Sequence, residues 1–136
     1  LYGGAAPAAS ETLCKENLDK MLRVALNQVL PLTINDEKNS VTLNGIEKIS
    51  FREEPGLIMV SFNFNGFYQK LFKFTFVGQA SILMRVMVEP RQLTGTITID
   101  RVAELKLDQY PSFLEGIIRQ MINGRLTERV IYLSWE

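Results

Sequence analysis

The residues Phe72, Phe74, Phe76, Gly78, Ala80, Ile82, Met84, Val86 and Val88 hold one parity of the chain over seventeen consecutive positions. Only an extended strand has that period, because successive side chains of a strand point to opposite faces. Straight, such a strand would run roughly 56 Å at about 3.3 Å per residue. A compact domain of 136 residues is only about 37 Å across, so the strand must bend or the molecule must be elongated. Gly78 and Ala80, small residues at mid-strand, mark where it can coil.

Three further runs extend the pattern. Val41, Leu43, Ile49 and Phe51 share a parity that Gly45 and Ile46 interrupt, which reads as a strand with a bulge near Gly45. Ile58, Val60, Phe62 and Phe64 alternate with Ser61, Asn63 and Asn65, and Asn65-Gly66 is a turn signal where that run should stop. Leu93, Gly95, Ile97, Ile99, Ala103, Leu105 and Leu107 form a fourth strand in which Arg101 is out of pattern and Val102 marks an irregularity. Glu53-Glu54-Pro55-Gly56 and Pro90-Arg91-Gln92 supply turns, and Val130 to Trp135 alternates weakly as a last strand.

At either end the period changes to that of a helix. Leu18, Met21, Leu22, Ala25, Leu26, Val29 and Leu30 recur at spacings of three and four from about Thr12, with Ser10 or Thr12 as cap and Pro31 as stop. Pro111 opens a second helix whose apolar face is Phe113, Leu114, Ile117, Ile118, Met121 and Ile122, with Gly124 as terminator. The expected fold is therefore α+β: a long curved antiparallel meander with an N-terminal and a C-terminal helix on its concave face, in the order α-β-β-β-β-α-β. Residues 1–11 read as an Ala/Gly-rich linker and residues 12–136 as one domain.

Composition narrows the function. Fifteen basic and fifteen acidic residues cancel, which removes the electrostatic footprint of a nucleic-acid binder. No apolar run is long enough to span a bilayer. Histidine is absent, and with it the commonest general base and metal ligand. The single cysteine, Cys14, has no partner for a disulfide and no histidine to activate it; it reads as a small half-buried helix residue. Glu53 and Glu54 fall in a solvated turn. Asp100, Glu104 and Asp108 share a parity, but a spacing of four along a strand is about 13 Å, too far for one cation. Phosphate-binding loops, nucleophile elbows, zinc-spaced cysteines and dinucleotide fingerprints are missing. The expectation is a protein that is not an enzyme and needs no cofactor or metal.

What remains is the aromatic stripe. Phe62, Phe64, Phe72, Phe74 and Phe76 lie on neighbouring strands, where they form a packed core, the wall of a cavity for an apolar ligand, or a base-stacking platform, against which the zero net charge tells. If a groove exists, Phe62, Phe64, Phe72, Phe74, Phe76, Ile82 and Met84 should face Leu22, Leu26, Val29, Ile118, Met121 and Ile122, with Met21, Met84 and Met121 adapting to varied chains. Long strands that two helices cover only in part favour a lipid or other apolar ligand. The other reading is a protein-interaction or assembly module, with a protein partner or a second copy on whatever apolar surface stays bare.

The order of elements is similar to a known group. A helix, a strand with Val41-Thr42-Leu43-Asn44-Gly45-Ile46, a long meander, Leu105-Lys106-Leu107-Asp108, then Tyr110-Pro111-Ser112-Phe113-Leu114-Glu115-Gly116-Ile117-Ile118 and Ile122-Asn123-Gly124-Arg125-Leu126 resemble the YceB-like periplasmic lipoproteins. More loosely, they resemble one half of the tubular lipid-binding superfamily, which includes bactericidal/permeability-increasing protein and the SMP domains. The resemblance spans roughly Leu13 to Trp135 and is one of element order and apolar pattern. It implies a helix wrapped in a curved sheet, a groove for acyl chains, no catalytic residues, and a bacterial envelope location, periplasmic or secreted, with the cytoplasm left open. The small-residue start, Leu1 to Ser10, fits the end of an export signal. The chain is short for that family, and Glu11-Thr12-Leu13 before Cys14 departs from a lipobox.

Overall fold

In the computed structural model, which describes residues 8–89, 94–108, 112–127 and 129–134, the chain runs α1 (Ala8–Val29), β1 (Leu32–Asn35), β2 (Asn39–Phe51), β3 (Leu57–Gln69), β4 (Lys73–Glu89), β5 (Thr94–Leu107), α2 (Ser112–Leu126) and β6 (Val130–Ser134). The strands form one antiparallel sheet in sequence order. The α+β meander is as expected, with one strand more: β1 follows Pro31 directly and pairs with β2 across a tight turn, Asp36 N–H to Asn39 O at 2.9 Å. Its four residues are too few to show a period. The side chains of Ser10, Thr12 and Cys14 and the segments around Pro90 and Pro111 lie outside the described residues.

The sheet curls. α1 packs on both β2 and β6, and α2 on β1, β2 and β5. In a flat sheet β2 and β6 would stand roughly 19 Å apart, at about 4.8 Å per strand, whereas a helix is only about 10–12 Å across. One helix reaches both because the sheet wraps it as a half-barrel. Leu18, Leu22, Ala25 and Leu26 of α1 and Leu114, Ile118, Ile122 and Leu126 of α2 share a single core with the inner face of the sheet.

Two matched pairs of bulges accompany the curl. The pairing of β2 with β3 skips Asn44 and Glu47, and that of β5 with β4 skips Ala103 and Asp100. A bulge adds one residue, bends its strand and raises the local twist. Inward residues of β2 are therefore spaced by three, Leu43, Ile46 and Ile49, and so are Ile99, Val102 and Leu105 of β5. Cross-strand rows such as Ile49, Val60, Ile82 and Val102 result. This corrects the expected β5 stripe: Val102, not Ala103, faces the core, and Arg101 is exposed because the extra residue Asp100 shifts it to the outer face, where it pairs with Leu83. The bulged backbone is also tied to α2. Val102 N–H donates to Asn123 Oδ1 at 2.9 Å, and Arg119 Nη1 donates to Val102 O at 2.7 Å.

The turn expected at Asn65-Gly66 does not form. Gly66 pairs with Phe76, and Phe64 with Gly78, inside a ladder that runs unbroken from Leu57 to Gln69. A Cβ on Gly66 would lie 2.0 Å from Ser40 O and 2.8 Å from the Phe76 ring; one on Gly78 would lie 2.2 Å from Lys106 O and 2.7 Å from the Phe64 ring. Glycine is needed here for close approach of backbones and rings, not for a turn. The Phe64 and Phe76 rings meet edge to face at 6.1 Å. The turn at Pro55-Gly56 is as expected: Leu57 N–H donates to Glu54 O at 3.1 Å and Gly56 has φ of 80°, the geometry of a type II turn. Gly124 does not end α2, which continues until Leu126 is seated in the core.

Candidate functional site

The thirteen residues expected to line a groove divide into three sets. Leu22, Leu26, Phe62, Phe64, Phe76, Ile82, Met84, Ile118 and Ile122 are each at most 4% exposed. Val29 and Met121 are half-buried against them. Phe72 and Phe74, by contrast, are 71% and 40% exposed. A gap wide enough for an acyl chain would admit water and leave its walls accessible. The nine buried side chains therefore form a closed, packed face between helices and sheet.

The difference lies in cover. At the far end of the β3–β4 hairpin the inner face runs past the helices. Phe72 is not in β4 but in the turn 70–72, which closes between paired Gln69 and Lys73. Phe74 pairs with Tyr68, and Tyr68 meets Phe113, from the first turn of α2, edge to face at 6.1 Å. Phe113 was expected on the buried face of α2 but is 54% exposed, and Leu71 beside Phe72 reaches 89%. The side chain of Asn39, opposite Tyr68, has a buried Oδ1 with no hydrogen-bond partner among the described residues. Lys73 Nζ lies 4.6 Å over the Phe67 ring on the outer side.

The outer face carries open depressions. One of about 680 Å³ is bordered by Thr42, Asn65, Phe67, Lys73, Val77 and Asp108. Another, of about 410 Å³, shares Asn65, Val77 and Asp108 with it. Of the thirteen residues, Phe76 and Phe64 edge these hollows while staying buried. The polar side chains around them are largely engaged with one another: Asn44 Nδ2 donates to Asn65 Oδ1 at 2.8 Å, and Asn63 Nδ2 donates to Glu47 Oε1. A third depression, of about 220 Å³, separates α1 from β6 at Val24 and Tyr132.

Among the described residues, no three cysteine or acidic side chains gather as a metal site, and no helix is long and apolar enough to cross a membrane. Glu54 is held by Arg85 at 2.8 Å and Asp100 by Arg101 at 3.0 Å, both on the surface. Sequence reasoning missed the apolar end because the Asn65-Gly66 signal drew the turn too early. The signal that could have found it is Lys70-Leu71-Phe72, which lacks every residue that favours turns. Comparison of the chain with protein-family models, with curated proteins and with solved structures finds no match.

Proposed function

We propose that this chain is a non-catalytic binding protein of the bacterial cell envelope, periplasmic or secreted, whose ligand is a lipid or another apolar molecule. The observation that carries the proposal is the uncovered end of the inner face, where Phe72, Phe74 and Phe113 stay open to solvent while the same stripe is sealed elsewhere. Exposed aromatic side chains this close together are costly in water unless something else covers them. Contact begins at this end, and the packed middle serves as scaffold. Kinship with the YceB-like and tubular lipid-binding proteins belongs to the proposal on element order alone.

Gentle extraction followed by native mass spectrometry tests it, with a co-purified lipid as the expected result. A fluorescent fatty acid should bind the parent, and Phe74→Ala should weaken uptake by about tenfold, the loss of roughly 1.4 kcal/mol of apolar contact. Absence of both lipid and uptake would remove the reading. A second reading, an interaction or assembly module, is favoured by the sheet edge, where Tyr132 of β6 is 77% exposed and Val130 41%. That reading expects a concentration-dependent increase in mass by light scattering, with no ligand.

A further inference from the structure

We infer that the β3–β4 turn is a membrane-docking tip, with Leu71 and Phe72 entering the interface of a bilayer that contains anionic lipid while Lys70 and Lys73 hold its headgroups. The inference rests on the apolar-ligand reading above and names the physical form of the lipid. Hairpin turns are built from glycine, proline, asparagine, aspartate and serine, which satisfy the bent backbone and face water. Residues 70–72 are Lys-Leu-Phe instead, and the two large apolar groups stand in solvent, at 89% and 71% exposure. Nothing in the core depends on them. Behind them Phe74, Tyr68 and Phe113 form an aromatic collar, and aromatic side chains favour the depth at which headgroups meet acyl chains.

Charge selects the occupant. From Gln69 to Gln79 the chain carries two lysines and no acid. The β1–β2 turn lies alongside, joined by Gln69 N–H to Lys38 O at 3.1 Å, and adds Lys38, Asp36 and Glu37. Three lysines face those two carboxylates and Asp108, which borders the same depression as Lys73, so the region as a whole is balanced and the positive charge is that of Lys70 and Lys73 at the turn itself, which favours anionic headgroups. A second copy meeting the tip head-on would bring four tip lysines together, so the same charges disfavour a dimer through this surface. Neither part suffices alone: two side chains give shallow insertion, and the lysines hold the tip to the surface.

The full chain bearing Phe72→Trp, mixed with vesicles of phosphatidylcholine alone or with an equal weight of phosphatidylglycerol, tests the proposal. Emission should shift to the blue and be quenched by brominated acyl chains, with binding tighter on the anionic vesicles and weakened by salt. Leu71→Ser with Phe72→Ser should reduce co-sedimentation of the parent sequence at least about tenfold, with unchanged circular dichroism and melting temperature. Lys70→Gln with Lys73→Gln should weaken binding only to anionic vesicles. Vesicle binding that survives the double serine substitution overturns the tip. So does a parent that takes soluble fatty acid but ignores vesicles, which leaves the apolar-ligand reading intact. A parent that takes neither overturns both, and a dimer that the double serine substitution dissolves assigns the tip to a second copy and overturns the membrane.

Discussion

Two stretches of one stripe meet different fates. Phe76, Ala80, Ile82 and Met84 are sealed under the helices, while Phe74 and Phe72, on the same parity, stand in water at the hairpin end. Residue type and period do not distinguish them. The helices do: α2 is 15 residues long, about 22 Å at 1.5 Å per residue, and β4 has 17 residues, about 56 Å if straight. Phe113, in the first turn of α2, meets Tyr68, which pairs with Phe74, so the helix begins at this row and leaves the hairpin beyond it uncovered. Alternation thus identifies the face a residue occupies, and the length of the opposing element decides whether that face is covered.

Phe64→Ala tests this contrast most severely. The ring fills the space above Gly78 and meets Phe76, and backbone that close on either side cannot collapse into the void. The loss should be about 3–5 kcal/mol, read as a lower urea midpoint at unchanged slope. Phe74→Ala should cost only about 1 kcal/mol. Equal losses at the two positions would mean that the helices cover both rings alike.

The cover itself is the next target. Asn123→Ala removes the acceptor for the Val102 N–H at a buried bulge, and an orphaned buried donor costs about 1–3 kcal/mol. The Val102 amide should then exchange hydrogen faster than those of Val60 and Ile82, whose ladder is intact. If its protection is unchanged, the bond between α2 and β5 does not hold the helix in place.

Much of this was legible in the sequence. Periods of 2 and 3.6 locate the meander and both helices, and the irregular positions Gly45, Ile46, Arg101 and Val102 mark the bulges. Long-range contact was not legible. Gly66 looks like a turn residue until Phe76 is placed over it, and Gly78 looks like a place for the strand to coil until Phe64 is. Of the thirteen expected site residues, nine proved to be core. The open end is defined by where α2 begins relative to β4, a relation between distant segments that no local window contains.

Gly116 tests the cover from the helix side. It lies inside α2, and nothing stands within 4 Å of where its Cβ would be. Gly116→Ala should therefore raise stability by about 0.5–1 kcal/mol through helix propensity and lost unfolded-state freedom. The melting temperature should rise, with fatty-acid uptake unchanged.

The smallest expected effect on stability is at the tip, and its smallness is the point. Leu71 gives the fold almost no buried area and Phe72 little, so Leu71→Ser or Phe72→Ala should change the unfolding free energy by no more than about 0.5 kcal/mol. Such a change, set beside the loss at Phe64, separates the hairpin end from the core by several-fold in one measurement. The backbone pairing of Gln69 with Lys73 does not involve either side chain, so the hairpin should keep its register. A loss comparable with that at Phe64 would mean that the two side chains are buried in solution by this chain or another, and the end of the sheet would then be no open surface.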